Sequence, residues 1–274
     1  MKIASRKKVY FIIASVLCVI AMLSVAGCSL ARQSLAALRS TDNFIQTTND
    51  NRVLSEPGAE VYADKVASFL PAAIEQVEKK QYRNFVKPVC VYVCASKESF
   101  KKFYGGDARA GVLTKLFISP RMFDDGDEIA RKYLTHELSH LHLQQQLGVY
   151  KISRLPMWFK EGLATYVSDG GGAYLTSREQ ALAFIRSGKY FVPNNSDGFI
   201  FKKTPSDFGL EPHLFYRQSM IFISYLAKRS ETEFEQMLRS IESGERLSTA
   251  LQATYNKKLE ELWNDFLHEI NITG

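Results

Sequence analysis

The chain has 274 residues, 46% of them hydrophobic and 23% charged, enough apolar content for one large domain or two modest ones. Its formal charge of +6 is carried by one end: residues 1–27 hold Lys2, Arg6, Lys7 and Lys8 and no acid, leaving 31 basic residues against 29 acidic ones in the remainder. With the remainder so nearly neutral, the high pI is no argument for a nucleic-acid partner, and none is expected.

In chain order, the basic N-terminus is followed by the apolar run VYFIIASVLCVIAMLSVAG and then by Cys28, a pattern that suits a signal peptide or a membrane anchor. The stretch VAGC, Val25–Cys28, puts small residues directly before a cysteine and resembles the lipobox of bacterial lipoproteins. By that resemblance residues 1–27 are a signal peptide and Cys28 is lipid-modified and becomes the mature N-terminus. The chain would then be lipid-anchored in the bacterial cell envelope, outside the cytoplasm. Ser29 after the cysteine favours the outer membrane if the envelope is Gram-negative. An uncleaved transmembrane anchor is the alternative, because the apolar run is long, and it leaves the following domain on the same side. Residues 28–56, polar and weakly periodic, are expected to be a tether.

From EPGAEVYADKVASFLPAAIEQVEKKQ, which starts at Glu56, the apolar spacing turns helical, through Val61, Val66, Phe69, Leu70, Ile74 and Val77. A β-branched strand is expected over 86–95. It contains Cys90 and Cys94, whose Cα atoms four strand residues apart lie roughly 13 Å from each other, beyond disulfide reach. They are expected to be two small buried residues on one face, and the fold is not a disulfide scaffold. A short helix follows in SKESFKKFYGG, with Ser96 as cap and glycine as stop, then a strand or hairpin in AGVLTKLFISP, 110–120. The next helix opens on Asp127 and Glu128, carries Ile129, Ala130, Tyr133, Leu134, Leu138 and Leu141, and is expected to stop at Gly148. PMWFKEGLATYVSDG reads as a second helix from Pro156 to Gly170. Loops are expected at 169–176 and 188–212, and helices at FYRQSMIFISYLAKR, ETEFEQMLRSIES and KKLEELWNDFLHEI.

Chemistry concentrates in HELSH, residues 136–140. On a helix His136 and His140 lie about 40° apart on one face, and Glu137 lies about 60° beyond His140. Two imidazoles so placed can grip one Zn²⁺ while the carboxylate reaches the open coordination position. A catalytic zinc needs a third protein ligand, and His₂Glu is a known set. Glu161, in LPMWFKEGLATYV, stands in a largely apolar helix, where a carboxylate is costly to bury without a cation or donor. The competing reading is a surface glutamate beside Lys160.

HELSH followed on the next helix by WFKEGLATYV resembles the gluzincin clan of zinc metallopeptidases, and most nearly the aminopeptidase N-like group, whose ligand glutamate stands in a Glu-Gly-x-Ala context. The resemblance extends loosely over 57–270 and is specific over 133–166 and one further segment. It implies an α+β, zincin-like catalytic domain over 57–274, with a strand-containing upper lobe and a mainly helical lower lobe. It also implies one Zn²⁺ on His136, His140 and Glu161, with Glu137 as general base in peptide-bond hydrolysis by zinc-activated water. The further segment is FYRQSMIFISYL, where Tyr216 matches a tyrosine that in the group donates to the oxyanion, although Arg217-Gln218-Ser219 replaces the group's Glu-Lys-Gly. A core tyrosine, or His213 in the same role, are the other readings.

Two departures from the family pattern, and His142, shape the expectation. The strand that carries an amine-holding acid in the aminopeptidases is here AGVLTKLFIS, whose only ionisable residue, Lys115, would repel an N-terminal amine. Asp107, Asp124 or Asp125 could supply the acid from a loop. Thr165 stands where the thermolysin branch has an aspartate partnering a histidine. His142 points about 140° from the ligand direction and is expected to be a surface or loop-contact residue. The reading is a membrane-tethered metallopeptidase acting on a peptide or protein, more an endopeptidase than an aminopeptidase. Its rivals are a catalytically silent peptidase-fold lipoprotein that binds or assembles in the envelope, and a structural protein with a chance motif.

Overall fold

The structure is a computed structural model describing residues 32–33, 35–196 and 202–272. Cys28 and the expected signal peptide lie outside the described residues. Five short strands, β1 (Ile45–Gln46), β2 (Val53–Ser55), β3 (Val91–Val93), β4 (Ala110–Val112) and β5 (Leu116–Ile118), form one sheet in the order β1-β2-β3-β5-β4. The three inner strands run parallel, and β1 and β4 are antiparallel edges. Parallel neighbours need crossovers, which α1 (Glu60–Gln81) makes between β2 and β3, and α2 (Lys97–Tyr104) between β3 and the β4–β5 hairpin.

Alternation along the strands sorts side chains to the two faces. Val53, Val91, Val93, Leu116 and Ile118 join α1 in the main core, whereas Leu54, Tyr92 and Phe117 meet Phe100 and Phe103 of α2 in a second, aromatic cluster. Cys94 belongs to that cluster, but Cys90, on the same side, lies exposed. The expectation of two buried cysteines therefore holds for Cys94 alone. Helix α2 keeps its expected ends: Ser96 accepts from the Ser99 N–H, and Gly105 at φ +84° caps the other end.

Residues 44–55 are not a tether. Phe44 is buried in the aromatic cluster, β1 and β2 are in the sheet, and Lys115 donates to the Thr41 hydroxyl at 2.7 Å. β1 and β2 have two and three residues, and β2 finds its parallel partner 38 residues on, at Val91, so no local periodicity is left to read.

The remainder is helical: α3 (Asp127–Ile152), α4 (Met157–Val167), α5 (Arg178–Arg186), α6 (Pro212–Arg229), α7 (Glu231–Glu242), α8 (Leu247–Tyr255) and α9 (Leu259–Ile272). The chain is thus α+β. Gly148 adopts φ 71°, ψ 166°, outside the helical region, so the helix that opens at Asp127 breaks there as expected and a short second helical stretch runs on to Ile152. Helix α5 begins with a capping box of Ser177 and Gln180, a signal present in the sequence as S-R-E-Q. Helices α4 and α6 pack closely because Gly162 has no side chain: a Cβ there would sit 2.9 Å from the Ser219 backbone. Among the described residues no helix is long and apolar enough to cross a membrane.

Candidate metal centre

Leu134, Leu138 and Leu141 bury one side of α3 in the core, which turns His136 and His140 toward a cleft between that helix and the sheet edge. Trp158, Phe159 and Leu163, all buried, fix α4 so that Glu161 enters the same space. Nε2 of His136 lies 3.1 Å from Nε2 of His140, and Glu161 Oε2 lies 3.3 Å from the first and 3.4 Å from the second. Three ligands at 2.0–2.1 Å in a tetrahedral site would be separated by about 3.3–3.4 Å. The three atoms therefore already occupy three corners of a zinc-sized tetrahedron, and the nitrogen and oxygen donors suit that ion. Among the described residues this is the group of His, Cys, Asp and Glu that can hold a metal.

Burial alone would raise the Glu161 carboxyl, but the charges of His140 and His136 and their hydrogen bonds hold it well below the usual carboxylate range. Glu137, next to His136 and facing the cleft, goes the other way. Burial pushes it up to about 7, with His136 opposing and Glu161 adding to the rise. Two carboxylates on one site thus part, one fixed as an anion and the other able to exchange a proton near neutrality.

Tyr216, on α6, has its ring 6.3 Å from that of His136 and nearly parallel to it. The Glu161 charge, then burial and Glu137, push its phenol far above the ordinary range, so it is a donor at neutral pH. His213 also lines the cleft, edge-on to Tyr174 at 5.1 Å, and burial lowers its pKa. The Thr165 hydroxyl is buried without a hydrogen-bond partner, as is His136 Nδ1. The loop at Gly172 (φ +79°) comes so close that a Cβ there would meet His136 Nδ1 at 3.1 Å.

Two cleft residues carry no local mark in the sequence. Tyr104, at the end of α2, is pushed to about 12 by burial and by Glu137 and Glu161, and lies over Gly111 of β4, where a Cβ would fall 2.3 Å from its ring. Arg109 pairs with Asp125 at 2.6 Å, and Tyr174 bridges them, accepting from Arg109 at 3.1 Å and donating to Asp125 at 2.8 Å. This bridge joins the start of β4 to the loop at 169–176 across one end of the cleft. Only the glycine at 111 could have hinted at Tyr104.

The acids that could have received an amine are engaged: Asp107 pairs with Arg121 at 2.8 Å, Asp125 with Arg109, and Asp124 lies 4.0 Å from Arg121. Contrary to the expectation from its strand, Lys115 does not face the cleft; its ammonium sits 5.0 Å above the Tyr92 ring on the other side of the sheet. His142 is half a correction: it contacts a loop, as one of its two expected placements had it, but it does not reach the surface. It is fully buried, with Nδ1 2.9 Å from Gln81 Nε2 and Nε2 2.9 Å from the Arg83 carbonyl. Helix α3 is covered on both sides, by the cleft walls and by α1 with the loop after it, so turning away from the ligands does not bring a residue to solvent.

Beside His142 lies Glu242, whose side chain is buried 3.4 Å from Arg83 Nε. Burial pushes its carboxyl up to about 7, against the lowering charge of Arg83. The unfolded chain ionises this group from about 4.5, whereas the folded chain holds the proton until about 7, so its contribution to stability falls between those pH values, by roughly 3 kcal/mol. Glu242→Gln is expected to remove that loss. Urea unfolding at pH 5 and pH 8 should show a smaller drop in the variant than in the parent, and equal drops would refute the assignment.

Comparison with protein-family models and with curated proteins finds no match to the chain.

Proposed function

We propose that the chain is a gluzincin-like, zincin-fold zinc metallopeptidase, held at the bacterial cell envelope through Cys28 and acting outside the cytoplasm on peptides or proteins. The observation that carries this reading is the triangle of His136, His140 and Glu161 at ligand spacing, with Glu137 opening into the same cleft. Zinc, when bound, supplies Lewis acidity to a substrate carbonyl and to water. Glu137 accepts the proton of the attacking water and returns it to the leaving amine, a task suited to a carboxyl poised near 7. Tyr216 donates to the developing oxyanion from the opposite wall. The sheet, with β4 along the cleft of about 830 Å³, acts as the upper lobe and α3 as the floor.

Endopeptidase action is the mode that the rim supports. An aminopeptidase must neutralise a buried ammonium, yet Asp107 and Asp125 are already paired with arginine. The edge of β4 can still pair with an extended chain. The test is one unstructured peptide and its N-acetylated twin, each with and without chelator. Internal cleavage of both, abolished by chelator, is expected. Stepwise loss of single residues from the free peptide alone would make the protein an aminopeptidase, and no chelator-sensitive hydrolysis would end the peptidase reading.

Tyr216→Phe should lower kcat by ~10²-fold with little change in KM, because the lost donor serves the transition state. A wild-type kcat would return Tyr216 to a packing role. Cys28→Ser should move the protein out of the lipid-labelled membrane fraction, and unchanged fractionation and gel mobility would favour the transmembrane anchor.

A further inference from the structure

The described chain begins at the cleft. Gln33 and Ala37 line the same cavity as His136 and Glu137, and the chain at Gln33 presses on Gly105, where a Cβ would meet its Cα at 3.1 Å. From there no free linker intervenes: Ala36 is buried, Arg39 N–H bonds the Ala36 carbonyl at 3.1 Å, Lys115 holds Thr41, and Phe44 is in the aromatic cluster. Gln33 is five residue steps from Cys28, a covalent reach of at most roughly 18 Å. If the apolar run ending at Gly27 is an uncleaved anchor, one more step makes it roughly 22 Å.

We propose that the cleft is held facing the membrane and that its substrates are polypeptide segments lying within about 20 Å of the bilayer, a limit set by this reach. The inference rests on the peptidase and anchor readings above. The rim has the character of a surface that meets headgroups. Leu35 and Leu38 flank the two lining residues of the N-terminal segment, Val149 lines the cleft and Tyr150 follows it, and all four are exposed. Exposed Arg39, Arg154 and Lys202 lie on the same segments or in the cleft wall, and apolar side chains among cations favour an anionic lipid surface.

The test uses the full, lipidated chain in phosphatidylethanolamine–phosphatidylglycerol vesicles. One readout does not depend on activity. In a Cys90→Ser background, a fluorophore at Thr114→Cys, on the cleft rim, is compared with one at Thr48→Cys. Thr48 lies beside β1, four strand spacings or ~19 Å across the sheet from β4. Energy transfer to a headgroup acceptor should be several-fold stronger from position 114. The second readout compares a soluble peptide with the same peptide anchored to the vesicle by a lipid, its cleavable segment either at the bilayer or set well above it by a rigid spacer. Cleavage at the bilayer should be at least tenfold faster than above it. A 20-residue Gly/Ser insertion after Ser29, with an r.m.s. reach of ~25 Å, should bring that ratio toward one and leave soluble-peptide turnover unchanged. Equal transfer from the two labels, or equal cleavage at the two heights, would overturn the proposal. Hydrolysis of no peptide, soluble or anchored, would instead remove the peptidase reading and the substrate class with it, while the labels still report the orientation.

Discussion

Glu137→Gln is expected to lower kcat by ~10³-fold or more while the protein keeps its fold and its bound metal. The amide has the size of the carboxylate but no proton-accepting oxygen of comparable basicity, so the change removes one function at one position. Glu137 is separated from the ligand role by geometry: the three converging atoms belong to His136, His140 and Glu161, and its own carboxyl is the one burial drives up to about 7. The relief of that burial cost should leave the variant at least as resistant to heat as the parent. Turnover, metal content and melting temperature measured on one preparation decide the matter. Activity within about tenfold of the parent would mean that another group is the base.

Glu161→Ala should lower zinc affinity by more than ~100-fold, since even partners of ligands contribute 10–100-fold and the proposed role of Glu161 is that of a ligand itself. Without it two imidazole nitrogens remain 3.1 Å apart with no anion to balance the ion, and an alanine adds nothing in return. His136→Ala should behave alike. Zinc retained after dialysis against a buffered chelator, with circular dichroism to show the fold, is the measurement. His142→Ala serves as the contrast. It should keep its zinc in the folded protein but lose ~2–3 kcal/mol of stability, because the buried Gln81 amide and the Arg83 carbonyl lose their imidazole partner. Full zinc occupancy in Glu161→Ala would remove that residue from the ligand set.

Much of this site is local, and local features are what a sequence carries. A helical period of 3.6 residues is sufficient to put His136 and His140 on one face, and the leucines at 134, 138 and 141 say which face is buried. Ser96 and Gly105 bound their helix by cap chemistry that operates within four residues. Contacts between distant segments are another matter. That Glu161 stands 3.3 and 3.4 Å from the two histidines depends on how α4 packs, and hence on Gly162 meeting the Ser219 backbone. The strands at 45–46 and 53–55 have two and three residues, too few for an alternation to register, and only their pairing in the sheet defines them. Tyr104 reaches the cleft because a glycine 7 residues later leaves room for its ring. The acids at 107 and 125 lost their suitability as amine receptors only when folding brought Arg121 and Arg109 against them. A surface place for His142 failed for the same reason, leaving only the loop contact: a helix has an outward side only if nothing packs there, and α1 with the loop after it does. Periodicity and capping were determined by residues a few positions apart, whereas burial, charge pairing and ligand distance were decided by which surfaces met.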